Sequence, residues 1–243
     1  PRLMMLFDHQ VSSAAPAAPP VQAPSLREEL NAFVTLVIEN DADVVCDYIE
    51  RLREGGEALP TIYLNLLAPA ARRLGELWES DECSFATVTL GISRMHQVLL
   101  RYSAFFCANC AETTEDAKSV LIIPVPGEQH TFGLMMLVEF FRREGWRVWS
   151  GSPRSDEELI ALLESDRFDV VGCSVSAERH VQRVPELLKT IRERSRNKNI
   201  KIIVGGRLFS EDPQLANKVG ADATAQDGVD AVRQAERLVE PDQ

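Results

Sequence analysis

The chain is poor in the features that would mark a secreted, membrane or nucleic-acid-binding protein. Its five cysteines are odd in number and too sparse in 243 residues for a disulfide framework, so reduced thiols are expected. No apolar run approaches the roughly 18 residues that a spanning helix needs, and the N-terminal PRLMMLF is too short for a signal-peptide core. The expected location is cytoplasmic, with no membrane partner. Positive charge is also in deficit. Against 37 Asp and Glu stand 26 Lys and Arg, a formal charge of −11, and this field opposes a general phosphate-binding surface. Direct, sequence-specific DNA binding is not expected. What is present, 45% hydrophobic and 26% charged residues, is the make-up of a globular protein able to bury a sizeable core.

Two grammars follow one another along the chain. Residues 1–24 hold VSSAAPAAPPVQAP, an Ala/Pro-rich tract with little to bury, and read as a flexible leader. From Ser25 the pattern turns helical. Ser25-Leu-Arg-Glu28 has the form of a capping box, and Leu30, Phe33, Val34, Val37 and Ile38 recur at helical spacing. Asp41 is positioned to cap a second helix, ended by Gly55-Gly56. A third starts at Pro60 and carries Tyr63, Leu66, Leu67, Ala70, Leu74 and Trp78, and a fourth runs from about Ser84 to Phe106. Residues 25–110 thus read as a four-helix bundle. After a polar linker at 111–117, short β-rich runs alternate with helical patterns over 118–243. The runs begin at Val120, Arg147, Asp169, Ile200 and, more weakly, Ala221. Such βαβ repetition predicts a five-stranded parallel sheet of flavodoxin-like type, covered by helices on both faces, with ligands bound beyond the carboxyl ends of the strands.

The segments that follow those strands carry the chemistry. After the first comes Pro126-Gly-Glu-Gln-His-Thr-Phe-Gly133, after the third Cys173-Ser-Val-Ser-Ala177, and after the fourth Gly205-Gly206. A neutral imidazole at His130 suits cobalt or iron, and Glu128 is placed to fix its tautomer from the other ring nitrogen. Gly133, Gly205 and Gly206 give a bulky ligand close access to the backbone, and Ser174 can donate a hydrogen bond inside that opening.

These blocks resemble the signature of the cobalamin-binding domains of methionine synthase, methylmalonyl-CoA mutase and the corrinoid proteins, Asp-x-His-x-x-Gly, Ser-x-Leu and Gly-Gly. Here they read Glu128-Gln129-His130-Thr131-Phe132-Gly133, Ser174-Val175-Ser176 and Gly205-Gly206, separated by residues 134–173 and 177–204. Both intervals are close to the family spacing. Glu128 stands where the family has Asp, a longer side chain that would loosen the His130 contact, and Ser176 stands where it has Leu, which would make the pocket more polar. The resemblance implies cobalamin held with its lower base displaced, His130 on the metal, and a nucleotide tail lined by Ser174, Ser176, Gly205 and Gly206. Gln129, Gly133 and Thr224 are the remaining implied contacts. On this reading Gly206→Val blocks the tail and leaves the fold intact.

The resemblance extends to the bundle, which in these proteins lies over the upper face of the corrin. In light-sensing regulators of the CarH type, a bundle Trp is followed at a set interval by a Glu-His pair that reaches the upper cobalt position. In this chain Trp78 is followed at that interval by Val88-Thr89, so the Trp is kept and the upper histidine is not. Leader, bundle and sheet together are most similar to the AerR/PpaA group of photosynthesis-gene regulators and the related domain of AppA. That similarity implies a light-responsive antirepressor acting on a PpsR/CrtJ-type repressor, not an enzyme, with hydroxocobalamin or another upper-ligand form bound. A methyl-carrying corrinoid protein is the alternative, and a haem-binding redox sensor a weaker one, because haem has no tail for the Ser174 and Gly205-Gly206 opening.

Other residues read more plainly. His9 and His180 are expected to be solvated or hydrogen-bonded side chains and His96 a boundary residue of the fourth helix. Cys107 and Cys110 lack the second pair that a zinc site needs, and the basic run from Arg192 to Lys201 belongs to a solvated helix end.

Overall fold

A computed structural model describes residues 26–107, 116–128 and 131–240. The leader, Ser25, His9, Cys110, Gln129 and His130 therefore lie outside the described residues.

The helical half consists of α1 (Leu26–Glu39), α2 (Ala42–Glu54), α3 (Leu59–Ile62), a π-helical turn (Tyr63–Leu67), α4 (Ala68–Glu79) and α5 (Phe85–Phe106). Asp41 takes the extended N-cap conformation of α2, but its side chain makes no capping bond; Ser84 does cap α5, accepting from the Thr87 N–H. The expected third helix is a continuous rod whose middle turn is widened. Pro69 has no N–H to offer and its ring would press on the carbonyl one turn back. The wider turn, in which the Ala68 N–H reaches the Tyr63 carbonyl, absorbs that conflict. Helix–helix contacts are locked by buried and half-buried polar bonds. Arg94 donates to the Val37 and Ile38 carbonyls at the end of α1, and the Tyr102 hydroxyl donates to the Cys46 carbonyl on α2.

The second half is a five-stranded parallel sheet in the order β2-β1-β3-β4-β5. Its strands are β1 (Ser119–Pro124), β2 (Arg147–Ser150), β3 (Val170–Ser174), β4 (Lys201–Gly205) and β5 (Ala223–Ala225). The connecting helices are α6 (Phe132–Arg143), α7 (Asp156–Ser165), α8 (Glu178–Val181), α9 (Val184–Arg194), α10 (Arg207–Glu211), α11 (Gln214–Val219) and α12 (Gly228–Val239). Two helices, α8 and α9, follow β3, because Pro185 fits only the first turn of a helix and so sets a new start.

Two hydrophobic cores flank the sheet, and they divide it by strand alternation. Leu121, Ile123, Val171, Cys173, Ile202 and Val204 face the second core with α7, α9 and α11. Val120, Ile122, Val170 and Ile203 face the first, which takes in α6, α12 and the whole interior of the bundle. The bundle therefore is not a separate hydrophobic unit. Its junction with the sheet half is α5 against α6. The His96 ring lies 5.3 Å from that of Phe132, the Ser103 hydroxyl donates to Glu139 Oε2 at 2.7 Å, and Phe106 meets Phe140 edge-on at 5.1 Å. Both helices advance by the same interval between the first two contacts, so they run in the same direction. Phe106 also stacks on Tyr63 at 4.7 Å and so carries the junction into the bundle's centre.

Phe106→Ala removes the ring common to both contacts from a buried position. A loss of about 3–5 kcal/mol is expected, read from urea unfolding of the full chain. A loss below about 1 kcal/mol would contradict a shared core.

Candidate functional site

In this strand order the chain reverses direction across the sheet between β1 and β3, and the carboxyl ends of those strands open a crevice. Three segments meet there: the loop from Val125 into α6, the loop from Val175 to Ala177, and Gly205-Gly206. Hydrogen bonds hold their starts together, from the Val125 N–H to the Ser174 carbonyl and from the Val175 N–H to the Gly205 carbonyl.

At this edge the sheet carries almost no side-chain bulk. Pro124, Ser174, Gly205 and Ala225 are register partners in one row across β1, β3, β4 and β5. Alternation turns this row towards α6 and α12, the same side as Ile122 and Ile203. The row forms a shallow trough under those helices. A Cβ on Gly205 would meet nothing closer than the Ala225 carbonyl at 3.8 Å, and one on Gly133, in the first turn of α6, would meet nothing within 4 Å. Gly206 differs. It takes φ +113°, and a side chain there would run into the Val175 backbone carbonyl. The glycine serves the path of the chain, which corrects the expectation that Gly206→Val leaves the fold intact.

Glu128 is buried, and its Oε2 accepts the Ser176 N–H at 2.8 Å and the Ala177 N–H at 3.2 Å. The extra methylene over Asp thus lets the carboxylate reach across the switch point to the loop that follows β3. Two amide donors keep it oriented at the base of the segment that leads to His130. Ser176 contributes its backbone N–H to this tie. Thr224 lies on β5 with its hydroxyl buried and without a partner, and alternation with Ala223 and Ala225 turns it to the face opposite the trough.

Trp78 lies in the last turn of α4, is 46% exposed, and meets Phe85 edge-on at 6.2 Å; Phe85 is 69% exposed. Phe85, Thr89, Ile92 and His96 follow helical spacing down one face of α5. Since His96 lies against Phe132 at the start of α6, α5 continues past that start by about 16 Å along its axis. The bundle therefore extends an apolar ledge, with Trp78 and Phe85 at its far end, beyond the edge of the sheet.

The remaining titratable groups sort by burial. Burial pushes the Cys173 thiol up to about 12, so it stays protonated and inert. His96 has a buried Nε2 with no partner, and desolvation lowers its pKa. His180 is only 8% exposed, again with Nε2 buried and unpartnered, which overturns its reading as a solvated or hydrogen-bonded side chain. A Cβ on Gly127 would lie 3.2 Å from its Cε1. Nothing in the sequence near His180 marks it for burial beyond its place just after the strand-end loop. The basic run is spent on ties, with Arg192 donating to the Gly220 carbonyl and Asp222, and Arg194 to Glu164.

Among the described residues no group of three or more His, Cys, Asp or Glu comes together to hold a metal ion. A macrocycle that brings its own in-plane nitrogens asks for only one protein nitrogen, and the trough offers room for an appended tail. The donor set and the small-residue row fit a corrinoid.

Fold and site together define a flavodoxin-like ligand-binding domain joined to a helical bundle. The chain belongs to the B12-binding domain family. One family model, a B12 binding domain, matches residues 118–236, and a second of the same description matches residues 29–101. A 20.5 kDa protein from the bchF-crtJ intergenic region of Rhodobacter capsulatus is 29% identical over 76% of this chain and 94% of its own length. Dimethylamine corrinoid protein 1 of Methanosarcina mazei is 22% identical over 88% of this chain and 98% of its own. The monomethylamine corrinoid protein of Methanosarcina barkeri shares the fold, with a TM-score of 0.70, 14% identity, and coverage of 89% of this chain and 99% of its own. No helix among the described residues is long and apolar enough to cross a membrane.

Two outcomes are expected. Gly206→Ala lowers the urea midpoint by an amount equivalent to about 1–3 kcal/mol, whereas Gly205→Ala leaves it within about 0.5 kcal/mol of the parent. Equal loss in both would contradict the distinction. The second concerns pH. With its pKa lowered in the fold, His96 contributes stability above its unfolded pKa of about 6.5, and that contribution is lost as pH falls below it. His96→Leu should therefore reduce the loss of stability between pH 7 and 5, measured by paired urea titrations; an unchanged slope would count against it.

Proposed function

We propose that this chain binds cobalamin with its lower base displaced and His130 on the metal, and that it acts as a light-responsive antirepressor through a PpsR/CrtJ-type repressor. The observation that carries the cobalamin part is the small-residue trough at the switch point, bordered by Ser174, Gly205 and the segment leading to His130. When bound, the corrinoid supplies a cobalt whose upper ligand is exchangeable and can be light-labile. The chain's own residues do the rest. His130 donates the lower nitrogen, Glu128 holds the preceding loop against the Ser176 and Ala177 amides, and the trough receives the nucleotide tail in the space left by Ser174, Gly205 and Ala225. Trp78 and Phe85 offer an apolar cover for the upper side. Val88-Thr89 provides no histidine at the position where CarH-type regulators have one.

The regulatory part is supported by the relative from the bchF-crtJ intergenic region and by the acidic surface, which suits a protein target better than DNA. A cytoplasmic, non-enzymatic role belongs to the same reading. A methyl-carrier role is the second reading, favoured by the dimethylamine corrinoid relative that matches over nearly its whole length.

Absorption spectra of the purified, cobalamin-loaded chain before and after illumination test the first part. A His-on spectrum that is lost in His130→Ala is expected, and an identical spectrum in that variant would refute the ligand assignment. For the second part, repressor capture and DNA-shift assays are run with and without cobalamin. Loading should change repressor affinity in the parent and not in His130→Ala. Equal binding throughout, with methyl transfer from methylcobalamin-loaded protein to a methyltransferase, would favour the carrier.

A further inference from the structure

We propose that His180 is a further corrinoid-binding residue, whose Nε2 hydrogen-bonds an amide side chain on the lower rim of the macrocycle. This rests on the corrinoid reading above and extends it to a residue outside the three sequence blocks. His180 sits in α8, directly after the Ser174–Ala177 segment, and is more than nine-tenths buried. Its Nε2 is buried and has no hydrogen-bond partner. A polar atom in that condition costs stability, and such atoms are uncommon in folded proteins unless a ligand or a change of state completes them.

The place of the ring says which ligand group it can meet. Its Cε1, which joins Nδ1 and Nε2, faces Gly127, which holds φ +90° in the segment that leads to Glu128. The ring therefore lies between the segments that follow β1 and β3, the side on which a macrocycle ligated by His130, on the reading above, would bring its lower face. The nucleotide tail is not the partner. The trough opens on the α6 and α12 side of the sheet, whereas α8 leads into α9, whose Val184, Leu187 and Leu188 belong to the core on the opposite side. What a corrin presents around the lower rim, away from its tail, is amide-terminated side chains, and a neutral imidazole can donate to their carbonyl or accept from their nitrogen. Gly127 has to be glycine both for its φ and for its contact with the ring, so the β1 loop can lie over His180 without a side chain between them.

The experiment compares the full chain with His180→Leu and His180→Gln, each titrated with hydroxocobalamin and with cobinamide, which keeps the rim amides and lacks the nucleotide. Unfolding midpoints of the unloaded proteins are measured alongside. His180→Leu should weaken both ligands by on the order of tenfold, His180→Gln should recover most of that, and the unloaded Leu variant should be no less stable than the parent. Parent-like binding of both ligands by His180→Leu would overturn the proposal. So would a loss confined to hydroxocobalamin, which would move the contact to the tail, or a loss that tracks a lower unfolding midpoint without rescue by Gln, which would make the role structural. Uptake of neither corrinoid by the parent chain would remove the corrinoid reading itself and the proposal with it.

Discussion

Helix α6 is the element on which the rest of the molecule is hung. Its first turn follows Glu128 and His130 in the chain and so comes directly after the segment that leaves β1. Its inward face roofs the small-residue row of the sheet, and its outward face receives α5 of the bundle through the His96, Ser103 and Phe106 contacts. The demands are compatible because α6 is apolar on two sides. Phe132, Leu134, Met136, Val138, Phe140 and Phe141 are all buried, and the one buried charge, Glu139, is satisfied by Ser103 from the bundle and Arg142 from its own helix. A helix with a single apolar stripe could cover the sheet or dock the bundle, not both.

At the open end of the sheet the constraint is polar. A parallel sheet leaves the groups beyond its strand ends unpaired, and here they are paired across the switch point by short ties: Val125 to Ser174, Val175 to Gly205, and Glu128 to Ser176 and Ala177. The buried carboxylate is tolerable because two N–H groups surround one of its oxygens. These ties are made by backbone on at least one side. They hold the edge in shape without filling it, and the trough stays lined by Ser174, Gly205 and Ala225 with Pro124 at one end.

Much of this was legible in the sequence, and the division between what was and what was not has physical causes. The β-branched runs and the glycines announced the parallel sheet and its ligand edge, because a strand buried on both faces must be continuously apolar. Helix types and most boundaries in the bundle followed from periodicity. The π turn at Tyr63–Leu67 was not visible, since Pro69 alone does not say whether a helix will end, kink or widen. Gly206 looked like ligand space because a glycine in sequence does not reveal whether it is kept for a ligand or for the chain's own path; only φ and the nearness of the Val175 carbonyl decide. His180 looked solvated because burial of a lone histidine depends on a loop that comes from 53 residues earlier, where Gly127 passes over it. Glu128 was recognised as a site residue, but the partners that fix it are main-chain amides, which have no sequence signature.

The shared core has a consequence for how binding at the sheet edge could be felt elsewhere. If the bundle were tethered by a linker alone, its position would be set only by the ligand between the two halves. Here α5 is already packed on α6, so a ligand that shifts the β1 loop acts on the start of α6 and, through Phe132, on His96 and the bundle. Packed helices respond to such a push by choosing between discrete arrangements and not by gradual deformation, because interlocked side chains resist small displacements. On the proposed reading the repressor and the corrinoid would then be linked through that one seam, and each must strengthen or weaken the other's binding by the same factor. The size of that factor is bounded by how differently the two arrangements hold each ligand, and the path open to it is a seam of apolar contacts between α5 and α6 with the Ser103–Glu139 bond among them.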